Sequence, residues 1–137
     1  MIEIADASEV SRATLYNHFR DKSAVIEALV TSEVDRLVDL ASKAGTPADA
    51  LEHLSREISG DRALAAMRQH DPSALTLMLS HSNSPLYLTL AHSIFSAIKS
   101  EAGTSLAMRW LIGQVMQPIS KEQSREQSEL LVDRTLF

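Results

Sequence analysis

The residues of this chain best suited to chemistry lie close together near its start. The stretch 11–22, SRATLYNHFRDK, holds Ser11, Arg12, Ala13, Thr14, Tyr16, Asn17, His18 and Lys22. If 11–18 is helical, Leu15 and Phe19 at i and i+4 turn inward, with Ile4 and Val10 as their partners. Arg12, Ala13, Tyr16 and Asn17 then point outward. The planar fork of Arg12 can meet two acceptors at once, as the guanine edge presents them in a major groove. Thr14, Tyr16, His18 and Lys22 suit phosphate or groove-wall contacts, which fix register without reading sequence. On pattern alone, a helix of this periodicity is more often a piece of core than a reader of DNA.

Two more sets of side chains invite chemistry. His70, His81 and His92 recur every eleven residues, but Pro72 and Pro85 divide them among separate helices, and no HxxxH or HExxH pattern occurs. No metal site and no cofactor are expected. The pairs Glu126 with Glu129 and Asp35 with Asp39 have helical spacing and lie near Lys or Arg, so they read as solvated faces. Nucleophile, phosphate-loop and nucleotide motifs are absent, and no convergent polar cluster suggests an enzyme.

Composition narrows the classes further. The 137 residues, 45% of them hydrophobic, make one domain or a small domain fused to a larger one, with enough apolar content for a core. No cysteine is present, which excludes disulfides, thiolate zinc sites and cysteine nucleophiles. The formal charge of −5 argues against coating nucleic acid with bulk positive charge, so any such contact must be local. Within residues 1–22, Arg12, Arg20 and Lys22 face Glu3, Asp6, Glu9 and Asp21, so even this stretch is slightly acidic. No apolar run approaches the roughly 20 residues that span a bilayer, and MIEIADASEV lacks the plan of a secretory signal. A cytoplasmic location without membrane attachment is the expectation.

With four Gly, four Pro and no period-two runs, the chain reads as all-α. Short helices at 2–8 and 11–18 flank a turn at Glu9 and Val10, with Ser11 as a cap. From Asp21 to about Lys43, Val25, Ile26, Leu29, Val30, Val34, Leu37, Val38 and Ala41 mark a helix of about six turns with one buried stripe. Thr46-Pro47, Asp61, Asp71-Pro72 and Ser84-Pro85 are start signals for helices near 47–59, 62–70, 72–82 and 85–101. Gly103 is read as closing the last of these. Helices at 104–117, ended by Pro118, and 121–137 complete the chain, without low complexity or a repeat of fixed period. The organisation is a helix-turn-helix head at 1–22 and an all-helical body at 23–137, joined by the long helix. A continuous long helix would carry the head as a lever.

The run IADASEVSRATLYNHFRDK resembles the helix-turn-helix signature of the TetR family of bacterial transcriptional repressors. Agreement in order and spacing falls at Ile4, Ala5, Val10, Ser11, Thr14, Leu15, Tyr16, His18, Phe19 and Lys22, and covers about 20 residues. The resemblance implies that Ser11 caps the recognition helix, that Arg12 and Ala13 face bases, and that Thr14, Tyr16 and Lys22 hold phosphates with His18 near the DNA backbone. It also implies a palindromic double-stranded DNA operator, a small-molecule ligand, and a homodimer whose last two helices, 104–117 and 121–137, pair into a four-helix bundle. For the interface the residues are Leu106, Trp110, Ile112, Val115, Leu130 and Leu131; for a ligand pocket they are Met67, Met78, His81, Tyr87, Phe95 and Trp110.

Two departures stand out. Ser8-Glu9 replaces the family's Ala-Gly, which costs roughly 1 kcal/mol if the glycine-like backbone is kept and brings a carboxylate near DNA. The family's further N-terminal helix of about 20 residues has no counterpart before Ile4. Either the natural chain starts upstream of Met1, or this is a shortened member that dimerises without holding DNA. The first is the expectation and the second its alternative.

Overall fold

The computed structural model describes residues 22–80 and 85–133, all seven of whose elements are α-helices. They are α1 (Lys22–Ser42), α2 (Pro47–Ser59), α3 (Arg62–His70), α4 (Pro72–Leu79), α5 (Pro85–Ile98), α6 (Glu101–Met116) and α7 (Lys121–Val132). The expected helices at 2–8 and 11–18 lie outside the described residues. The chain divides into two compact units, Met1–Asp35 and Arg36–Phe137, and the division falls inside α1.

Start signals act as local chemistry requires. The Thr46 hydroxyl accepts the Asp49 N–H at 3.1 Å, and the carboxylates of Asp61 and Asp71 accept from Leu64 and Ala74. Each side chain satisfies one of the four N–H groups left orphaned at a helix start. Pro47 and Pro72 fill first-turn positions where no N–H is needed. Before α7, Ser120 and Gln123 exchange backbone bonds in a full capping box.

Four expected boundaries move, the first being that of the helix expected at 72–82, which ends at Leu79 with Ser80 as its cap. The fifth helix ends at Ile98, short of 101, because Lys99 turns left-handed at φ 60° and Ser100 caps the next helix through the Gly103 N–H. Gly103 therefore sits in the first turn of α6 and does not close α5. Its lack of a side chain matters there, since a β-carbon would come within 2.9 Å of Ile98 Cγ2. The last helix ends at Val132, where Asp133 becomes extended, short of the expected 137.

In the second unit, α2 is the central element. Ala50, Leu51, Leu54, Ser55 and Ile58 line its buried face at helical spacing. With Leu37, Leu75, Ile94, Ala107, Met108, Leu111 and Val115 they form the core, against which Ala41, Leu64, Met67, Tyr87, Trp110 and Leu131 pack. The stripe expected along α1 is buried at Val25 and Leu37, but Leu29 is 52% exposed.

Candidate functional site

Of the residues proposed to contact DNA, Ser11, Arg12, Ala13, Thr14, Tyr16, Asn17 and His18 lie outside the described residues, and Lys22 opens α1. The geometry available is that of the body.

The residues expected to line a ligand pocket lie on several elements of the body. Met67, Met78 and Tyr87 pack against the core, Phe95 is exposed on α5, and His81 falls outside the described residues. Trp110 is committed elsewhere: its indole N–H donates to Gln127 Oε1 at 2.6 Å. A groove of about 530 Å³ instead runs between Val38 of α1 and Leu88, Thr89, His92, Ser93 and Ser96 of α5. Thr89 and Ser96 donate their hydroxyl protons to the carbonyls of Pro85 and His92. The sequence reading did not single out this set. Its signal is the recurrence of 88, 92 and 96 along the exposed side of α5.

The interface candidates separate by depth. Val115 is only 8% exposed and belongs to the chain's own core, to which Trp110, Ile112 and Leu131 also pack. Leu106 on α6 and Leu130 on α7 are 44% and 53% exposed, and Met116 at the end of α6 is exposed too. Gly113 of α6 is exposed as well, and a β-carbon there would meet nothing within 4 Å.

Polar chemistry concentrates beneath α2. The buried Gln114 Oε1 accepts from Ser55 Oγ at 2.6 Å and from Ser59 Oγ at 2.8 Å, while its Nε2 donates to the Trp110 carbonyl at 3.2 Å. Ser55 Oγ lies 2.7 Å from Ser124 Oγ, and Ser59 Oγ accepts the Ile119 N–H at 3.1 Å. Among the described residues, no buried side-chain nitrogen or oxygen lacks a partner. Nearer the surface, Arg36 Nη2 bonds Glu57 Oε2 at 2.7 Å, tying the last turns of α1 to α2. The Asp39 carboxylate, hydrogen-bonded to Lys43 at 2.8 Å, holds that exposed ammonium above its usual range.

No group of three or more His, Asp or Glu able to hold a metal occurs among the described residues. Nor is any described helix long and apolar enough to cross a membrane. Residues 1–29 match the family described as bacterial regulatory proteins, tetR family. No curated protein and no solved structure matches the chain significantly. The match covers the whole signature from Ile4 to Lys22 and runs into α1, and the family is one of DNA-binding transcriptional regulators.

Proposed function

We propose that this chain, whose first 29 residues match the tetR family of bacterial regulatory proteins, is a homodimeric repressor that a small molecule releases from its operator. The match over 1–29 carries the reading, because it falls on the one segment whose side chains suit base and phosphate contact. Arg12 reads a base edge, with Ala13 and Asn17 beside it. Thr14, Tyr16, His18 and Lys22 grip the backbone, and Ser11 caps the helix that presents them. Two heads spaced about 34–36 Å apart enter successive major grooves of a palindromic site.

Exposed Leu106, Met116 and Leu130 support a second copy seated on α6 and α7, since burying them would remove apolar surface from water. The groove beside Val38 supports a small amphipathic ligand: its walls are largely apolar, with His92 and three hydroxyls as polar partners. Release follows if that ligand binds one arrangement of the body better than another. Comparing Arg12→Ala with Lys22→Ala on a panel of operator variants tests the assignment. Arg12→Ala flattens discrimination at one base pair, and Lys22→Ala weakens all sequences alike. Equal loss on every sequence for Arg12→Ala would remove its reading role.

One observation favours a second reading, a family member that pairs with other copies without holding DNA. Residues 1–22 carry three cations against four acids, less positive than a head that grips phosphate alone. Salt-independent, sequence-blind behaviour toward DNA distinguishes this reading from the first.

A further inference from the structure

Beyond its first residue, the exposed positions of α6 are Ala102, Leu106, Arg109, Gly113 and Met116. They follow one another at intervals of four, three, four and three residues, the spacing of a seam along which two helices pack. Arg109 is the only charge among them, whereas α7 exposes mostly Lys, Glu and Arg. A face so poor in charge, carrying the exposed Leu106 and Met116, has the character of an interaction surface. Gly113 is its least expected member. Glycine in a helix interior is less stable than alanine, and it normally answers a close contact or a left-handed backbone. Neither holds here, since its φ is not positive and a β-carbon would meet nothing within 4 Å. The chain's own fold gives the missing side chain no use, in contrast to Gly103, where Ile98 leaves no room for one.

We propose that α6 pairs antiparallel with α6 of a second copy along this stripe, and that Gly113 is the opening that receives the partner's Arg109. This rests on the homodimer reading and names its seam. The occupant follows from the way the stripe complements itself. Where two such stripes run in opposite directions, Leu106 falls against the partner's Met116 and Arg109 against the partner's Gly113. Each contact occurs twice, as a two-fold axis requires. Apolar side chains thus meet each other, and the longest side chain meets the one position that has none. Centring the stripes on each other would instead set Arg109 against the partner's Arg109, so like charge disfavours that register and the single polar seam position selects the first. Arg109 suits this role. It donates to Ser105 Oγ at 2.6 Å and faces no carboxylate among the described residues. Its apolar stem can cover the partner's Gly113 while the guanidinium stays at the wet edge of the seam.

Sedimentation of the full chain gives the dimer dissociation constant, and urea unfolding at concentrations below it gives the stability of the single chain. Gly113→Ala is expected to act in opposite directions on the two. It raises the unfolding midpoint, because alanine favours the helix and meets nothing there, yet it weakens the dimer about tenfold by filling the opening. Gly113→Leu is expected to weaken the dimer about a hundredfold. Adding Arg109→Ala to Gly113→Leu then restores pairing to within about tenfold of native, since the leucine meets a short side chain. An unchanged dissociation constant in Gly113→Leu would overturn the seam while leaving a homodimer in place. So would a Gly113→Leu dimer that Arg109→Ala does not restore. A lowered midpoint in Gly113→Ala would give the glycine a role in the chain's own fold and overturn the proposal too. A native chain that stays monomeric at every concentration would instead remove the homodimer reading, and the seam with it.

Discussion

Arg68 Nη1 donates to the carbonyl oxygen of Val115 at 2.6 Å. The acceptor belongs to the last turn of α6, where four carbonyls have no partner within the helix and carry its partial negative charge. A guanidinium from α3 thus caps α6 across 47 residues of sequence. Removing the charge while keeping the stem, as in Arg68→Met, is expected to cost roughly 1–3 kcal/mol. Urea unfolding would measure this, and a change under about 0.5 kcal/mol would mean that water replaces the arginine.

Leu54 is fully buried at the centre of α2. Its truncation to alanine removes the transfer energy of the side chain and leaves a cavity, for an expected loss of roughly 2–5 kcal/mol. An unchanged denaturation midpoint would show that the site collapses around the smaller residue.

The capping box before α7 gives a smaller, separable effect. Ser120→Ala removes the acceptor for the Gln123 N–H and is expected to lower stability by about 0.5–2 kcal/mol. Hydrogen exchange shows whether the loss is confined to the first turn of α7, as a cap requires, or spreads into α2.

These caps also show how much of the fold was legible. Thr46-Pro47, Asp61 and Asp71-Pro72 announce α2, α3 and α4 because a cap is a local bond spanning three residues. The junction of α5 and α6 misled for the same local reason. Gly103 resembles a helix stop, yet its role is to let α6 begin against Ile98, a contact that sequence spacing does not display. The node was invisible, since Ser55 is 59 residues from Gln114 and 69 from Ser124. Of the candidate site, the head was legible as a motif. A pocket is harder to read, because scattered Met and aromatic side chains mark core and cavity alike, and Met67, Met78 and Tyr87 pack against the core.

Leu106 and Leu130 offer a test of assembly that leaves the core intact. Both are about half exposed, so Leu106→Asp with Leu130→Asp is expected to cost an isolated chain little. If a second copy covers them, the pair of aspartates buries unpartnered charge, and sedimentation will show dimers giving way to monomers. Dimers of undiminished affinity would place the interface elsewhere.

The most direct test of the account as a whole is a titration. The 137-residue chain is added to labelled duplex from its own flanking intergenic region, and anisotropy is followed at two salt concentrations beside a scrambled duplex. The account predicts binding that prefers the native sequence and weakens steeply as salt rises, since phosphate contacts release counterions. Equal affinity for both duplexes, or no binding at low salt, would contradict it and favour the family member that pairs without DNA.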